Sequence, residues 1–234
     1  MNTPFAYNTA PRAVRTLAAA LTTALLAGLT QAATMEVLVL DGNNKPLPDA
    51  VVIVLPSNRG AAPKALPMTA LVNQEKMQFV PSVTVVGLGA KVRFMNSDPW
   101  DHHVRLSVPG DLSGGTNATS AEGLSLRLEG KTDGKPASST VLTLDKPGAN
   151  GAVLLGCFIH GSMSGHVYVA ESPWTVKTDA NGVAVIADVP EGAATVKVWQ
   201  ALQLVEKTPQ NVVVSANPAK LTFQLDVVPR RRRG

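Results

Sequence analysis

The sequence is poor in cysteine, in aromatic side chains and in charge. Its 234 residues include one cysteine, 4% aromatic and 16% charged side chains, against 45% hydrophobic side chains. A single cysteine excludes a disulfide scaffold, and the hydrophobic content excludes an intrinsically disordered chain. The length allows one or two domains, each large enough to bury a hydrophobic core.

The formal net charge of +4 comes from the two ends of the chain. Arg12 and Arg15 lie near the start, and residues 230–233 are consecutive arginines. Without these residues, acidic side chains outnumber basic ones. Because nucleic-acid-binding proteins carry positive charge on their folded surface, we expect no nucleic-acid partner. Residues 229–234 are interpreted as a solvated basic tail.

The first 32 residues have the parts of a secretory signal peptide. Arg12 and Arg15 lie in a segment without acids, residues 17–29 form an apolar run, and residues 30–32 supply small side chains for cleavage. The apolar run is shorter than the roughly 20 residues that span a bilayer as a helix. We therefore expect an exported, periplasmic protein without stable membrane insertion.

The remainder of the chain predicts an all-β fold. Short β-branched or alternating segments are separated by turn signals such as Pro147-Gly148 and Asn181-Gly182, and no segment keeps a helical period. This pattern is typical of β-sandwiches and barrels. The predicted strands cover residues 35–40, 51–55, 83–86, 91–94, 124–128, 141–144, 153–155, 167–169, 194–199 and 221–225.

The only cysteine lies among the few histidines. The four histidines fall in two places, His102 and His103 in one segment, and His160 and His166 close behind Cys157. A lone cysteine in an exported chain indicates an intermolecular bridge or a functional thiol, and the alternative is a small buried hydrophobe. We expect His166, on the same strand face as Tyr168, to face solvent.

The segment from Cys157 to Met163 has the pattern C-x2-H-x2-M, with His160 in the middle. A tight loop leaving a strand end can fold these three side chains around one point, while a histidine from an earlier strand completes the site. Two imidazoles, one thiolate and a weak axial thioether are the donors of a blue-copper electron-transfer centre. The alternative without metal is an adhesive or scaffolding β-module.

At these residues the sequence resembles the cupredoxin family, in particular its amicyanin and plastocyanin branch. The resemblance includes the spacing of the ligand loop and, upstream, the residues Gly89, Val92, Phe94, Asn96, His102 and Val104. It implies a Greek-key sandwich that holds one mononuclear type 1 copper through His102, Cys157, His160 and Met163. Many members have Asn after the first ligand, where this chain has His103. Because neighbouring strand residues point to opposite faces, only one of His102 and His103 can enter the site.

The two ends of the mature chain resemble a carboxypeptidase regulatory-like, transthyretin-type β-sandwich. The resemblance rests on residues 39–52 and on the segments 178–182, 188–192 and 195–198. We predict a discontinuous sandwich of residues 34–62 and 173–228, interrupted by a cupredoxin domain of residues 68–172. Insertion is physically reasonable because exposed loop tips accept domains. The simpler alternative is two domains in series.

The resemblance implies an exported electron carrier that serves an unidentified redox protein or dehydrogenase. The alternative function is a periplasmic copper carrier or storage protein that uses the same ligands. We predict no enzymatic activity, since the sequence has no Ser/His/Asp spacing, paired-carboxylate motif or phosphate loop.

Overall fold

The computed structural model describes residues 32–58, 60, 65–107, 125–148 and 150–228. The predicted leader up to residue 31 and the predicted tail of residues 229–234 lie outside the described residues. Among the described residues the secondary structure is entirely β, which confirms the predicted fold class. Within those same ranges, no helix has the length and apolar character needed to cross a membrane.

Sixteen strands make up the described chain. They are β1 (Ala32–Leu40), β2 (Val51–Pro56), β3 (Thr69–Glu75), β4 (Gln78–Val80), β5 (Val83–Gly87), β6 (Ala90–Asn96), β7 (His102–Ser107), β8 (Ser125–Leu128), β9 (Ser139–Leu144), β10 (Ala152–Gly156), β11 (Ser164–Ala170), β12 (Thr175–Lys177), β13 (Val183–Pro190), β14 (Gly192–Trp199), β15 (Gln210–Val214) and β16 (Ala219–Gln224). Strands β3, β4, β12, β13 and β15 are not among the segments predicted from the sequence.

The first sandwich joins the start of the described chain to its end. One sheet has the strand order β13-β1-β16 and the other has the order β12-β2-β14-β15. Strand β1 is antiparallel to β13 and parallel to β16, and β2 is antiparallel to both β12 and β14. Their apolar side chains form one core, which includes Met35, Val52, Ile186 and Phe223. Among the described residues, the strands near Val39 and Val51 therefore pair with strands after residue 173 and with no strand of the intervening segment.

The second sandwich is formed by the intervening strands. Its two sheets have the orders β5-β11-β10-β7-β8 and β4-β3-β6-β9. Alternate residues of β6, among them Val92 and Phe94, point into a core that also contains Leu155 and Val167. Cys157 and Met163 belong to this same core. The donor-rich segment is thus anchored in the hydrophobic interior.

The two sandwiches pack against each other through a third, smaller apolar cluster. Its buried members are Val51, Ile53, Val83, Ala152, Tyr168 and Ala170, and Trp199 packs beside them. Polar contacts flank the cluster: Lys177 Nζ lies 2.6 Å from Asp49 Oδ1 and donates to the carbonyl of Val83 at 3.1 Å, while Ser82 donates to Asp49 at 2.7 Å. This outer face of β11 is therefore an interface between the sandwiches.

The expectation that His166 faces solvent is wrong. His166 lies on the same strand face as Tyr168, as the alternation of side chains along a strand predicts. That face, however, packs on the first sandwich. The His166 ring lies 5.3 Å from the ring of Trp199, and its side chain is partly buried. Burial lowers the pKa of the His166 imidazole below its ordinary value of 6.5. Strand periodicity identified the face but could not identify what covers it.

Candidate metal centre

Three adjacent strands bring the candidate donors to one end of the second sandwich. His102 is the first residue of β7, and Cys157 directly follows the last residue of β10. Strand β10 lies between β7 and β11 and is antiparallel to both. The connection from β10 to β11 carries His160 and Met163, and it is closed by a hydrogen bond from the Met163 N–H to the His160 carbonyl at 2.9 Å.

The side chains of His102, Cys157 and His160 converge. Their donor atoms all lie within 4.8 Å of one another. The Nδ1 atoms of the two imidazoles are 3.0 Å apart, and the Cys157 Sγ lies 3.8 Å from His102 Nδ1 and 3.5 Å from His160 Nδ1. His102 is fully buried and Cys157 is 6% exposed. The structure therefore places a thiol and two imidazole nitrogens around one position that is largely shielded from solvent.

Met163 is the remaining predicted ligand. It is 2% exposed and packs in the same core cluster as Cys157. Among the described residues, the two histidines and the cysteine form the cluster that could hold a metal ion. The ligand role of Met163 stays a prediction from the loop spacing.

Asp98 fixes the orientation of His102. The His102 Nε2 lies 2.7 Å from the Asp98 Oδ2, and because the carboxylate can only accept, Nε2 carries the proton and Nδ1 keeps its lone pair toward the site. The Asp98 carboxylate also accepts the backbone N–H groups of Lys76 at 2.7 Å and Met77 at 3.0 Å. Burial by itself raises the pKa of Asp98, but the hydrogen bonds from Met77, His102 and Lys76 lower it below its usual value.

The turn that presents Asp98 is held by buried amides. Asn96 is completely buried, its Nδ2 lies within 3.1 Å of the carbonyls of Trp100, Leu128 and Glu129, and its Oδ1 accepts the Asp98 N–H. Gln74 donates to the carbonyl of His103 at 2.8 Å. The segment between β6 and β7 is therefore fixed at both ends.

His103 points away from the three donors. Its imidazole lies 3.0 Å from the Ser125 hydroxyl and stacks near Phe158, with ring centroids 6.2 Å apart. Its backbone N–H, however, donates to the Cys157 Sγ at 3.3 Å. A hydrogen bond to the sulfur is thus supplied by the main chain, which does not depend on the identity of side chain 103.

Asp98 and Gln74 contribute to the site but were not predicted from the sequence. Asp98 lies in the segment Asn96-Ser97-Asp98-Pro99, which resembles any polar turn, and its partners come from the unpredicted hairpin of β3 and β4. The available signal was an acidic residue four positions before a candidate ligand histidine, since metal-binding histidines are commonly oriented by carboxylates. Gln74 gives no such signal.

Comparisons with known proteins find similar chains among the solved structures. No family model matches the chain, and no curated protein matches it. Among solved structures the chain is similar to amicyanin: a reduced Cu(I) form of one variant at pH 4 is 21% identical with a TM-score of 0.31, and a reduced form of another variant is 19% identical with a TM-score of 0.32. Each comparison covers 51% of this chain and 98% of the amicyanin chain.

Proposed function

We propose that this protein is an exported type 1 copper protein that carries single electrons between redox partners. In this proposal His102 and His160 would supply imidazole nitrogens to the copper, Cys157 would supply the thiolate, and Met163 would supply a weakly bound thioether. The observation that carries the proposal is the convergence of one sulfur and two Nδ1 atoms within 4.8 Å. Thiolate, imidazole and a weak axial thioether are the donors of blue-copper centres.

The separations of the donor atoms fit one shared metal ion. Bonds of about 2.0 Å to nitrogen and about 2.3 Å to sulfur, at angles of about 90–130°, place neighbouring donors about 2.8 to 3.9 Å apart. The three observed separations are 3.0, 3.5 and 3.8 Å. Unrelated side chains that only pack together would not need to turn all three donor atoms inward.

Copper supplies the one-electron exchange between Cu(I) and Cu(II), which a mixture of soft sulfur and imidazole accommodates. The protein's own groups prepare the site for this exchange. Asp98 fixes the tautomer of His102, and the His103 N–H donates to the Cys157 sulfur. Because His102 and Cys157 are buried, the donors are held in one arrangement and bulk water is excluded.

The exposed route to the site runs along the ligand loop. His160 is partly exposed, and the two residues before it, Phe158 and Ile159, are 70% and 51% exposed. An apolar rim around the outer imidazole allows another protein to approach closely without desolvating charges. We place the docking of an unidentified redox protein or dehydrogenase at this rim.

A copper carrier or storage protein would use the same donors but must release the ion. The buried, pre-oriented donors favour retention over release. The test is to load the purified protein with one equivalent of copper, reduce it, and add a Cu(I) chelator before re-oxidation. An electron carrier completes repeated cycles with its copper retained, whereas complete transfer of Cu(I) to the chelator within one cycle supports the carrier function.

A further inference from the structure

A cleft of about 430 Å³ lies where the two sandwiches meet. We call it the junction cleft. It is lined by Ile53, Leu55 and Trp199 of the first sandwich, by Tyr168 of β11 with the turn at residues 150 and 151, and by residues of the loop 203–209. Small-molecule sites commonly occupy about 300–1,000 Å³ and often lie at domain interfaces. The junction cleft meets both conditions and is separate from the candidate metal centre.

Two aromatic rings form the base of the junction cleft. The ring centroids of Tyr168 and Trp199 are 5.5 Å apart, with an angle of 51° between the planes. The Tyr168 ring lies directly against the backbone of Gly151, where a Cβ would come within 2.6 Å of the ring and where φ is +85°. The absence of a side chain at Gly151 therefore lets the tyrosine ring close the base, while Trp199 remains partly exposed.

The polar groups of the junction cleft carry both signs of charge, and one of them, Lys207, also pairs with Asp226 at 3.4 Å outside the cleft. They comprise two carboxylates, two ammonium groups and two amides, contributed by Glu171, Glu206, Lys197, Lys207, Asn150 and Gln203. In the part of the chain that the structure describes, the buried Oε1 of Gln203 has no hydrogen-bond partner. Burial, together with the charges of Glu171 and Glu206, raises the pKa of Tyr168 to about 12.

The aromatic rings and the polar groups of the junction cleft together indicate the class of ligand that it binds. Because side chains of both charge signs line the junction cleft, neither a simple cation nor a simple anion is selected, while a purely apolar molecule would desolvate all of these groups without pairing them. A neutral ring with one apolar face and several hydroxyl groups satisfies both the aromatic base and the surrounding donors and acceptors. We infer that the junction cleft binds a neutral sugar, with the apolar face of the sugar ring on Trp199.

The junction cleft and the candidate metal centre lie at opposite ends of strand β10. Gly151 precedes the strand and Cys157 follows it, so the two positions are about 20 Å apart along an extended chain. Sugar binding therefore does not require copper. It can be measured on the metal-free protein, and its outcome is independent of the proposed electron transfer.

The test is saturation-transfer NMR on the metal-free full chain, with glucose, galactose, N-acetylglucosamine, cellobiose and maltose as probes. We expect transfer to the ring protons of at least one sugar, and an affinity about tenfold lower in Trp199→Ala because the stacking face is lost. Glu206→Gln, on the exposed rim, changes no core packing and should also weaken binding. Trp100→Ala is the matched control, since Trp100 is 47% exposed and lies outside the cleft.

Three results would overturn the inference. The first is the absence of transfer to every sugar of the set. The second is binding that is unchanged in both Trp199→Ala and Glu206→Gln. The third is selective binding of a zwitterionic amino acid, with L-leucine as the probe, because this would assign the paired charges to an ammonium and a carboxylate instead of hydroxyl groups.

Discussion

The Nε2 of His102 lies 2.7 Å from the Oδ2 of Asp98, on the side of the ring opposite to Cys157 and His160. The carboxylate is itself held by two backbone N–H groups from the turn between β3 and β4. One sheet of the second sandwich thus contributes the histidine, and a turn of the other sheet sets its orientation. The geometry of the candidate metal centre depends on both sheets.

Replacing Asp98 by Asn should weaken copper binding about tenfold, the lower end of the range for partners of metal ligands. The substitution keeps the size of the side chain but removes the charge that stabilises Cu(II), so the reduction potential should rise. Competition titration with a Cu(II) chelator and voltammetry measure the two effects. Asp133→Asn, the same change in an exposed turn, is the control. Equal affinities and potentials in both variants would contradict the role of Asp98.

The neighbouring histidines should respond differently to alanine. His102→Ala removes a buried donor, so we expect loss of the thiolate-to-copper absorption or its replacement by an altered spectrum. His103→Ala removes a side chain that contacts Ser125 and Phe158 but keeps the N–H that donates to the Cys157 sulfur. It should therefore retain the spectrum of the unaltered protein. Retention in His102→Ala with loss in His103→Ala would assign the ligand to His103.

Some features of the fold and of the candidate metal centre can be predicted from the sequence, and others cannot. The loop from Cys157 to Met163 is predictable because its donors lie close together in the chain, and strand β6 is predictable because Val92 and Phe94 alternate with polar residues. The contact between Asp98 and the turn at Lys76 joins two sheets and leaves no local pattern. His166 shows the same limit, because alternation gives the face of a strand but not the packing of a second sandwich on that face.

The partly buried His166 should make the protein sensitive to mild acid. Its pKa is lowered in the folded state, so the unfolded chain binds the proton more readily and stability falls as the pH drops below about 6.5. His166→Gln removes this contribution. Urea unfolding of metal-free protein at about pH 7.5 and about pH 5.5 should show a smaller loss of stability in the variant. The same loss in both proteins would contradict this account.

We propose that residues 68–172 are a domain inserted into a sandwich of residues 34–62 and 173–228. The pairing of β1 and β2 with strands after residue 173 supports this division. A fragment of residues 68–172 should then fold and bind copper, but unfold at a lower temperature than the intact chain. The reason is that Val83 and Tyr168 lose the apolar contacts that they make with Val51 and Ile53. Calorimetry compares the two proteins, and a fragment that neither folds nor binds copper would contradict the division.

The most direct test of the central claim is the optical and electron-paramagnetic-resonance spectrum of the copper-loaded protein beside that of Cys157→Ser. We expect an intense visible band and a narrow copper hyperfine splitting for the unaltered protein, because the thiolate would share electron density with Cu(II). Both features should vanish in Cys157→Ser, whose hydroxyl is a hard and normally protonated donor, even if the imidazoles still bind copper. A colourless Cu(II) complex with ordinary tetragonal parameters in the unaltered protein would contradict the proposed type 1 site.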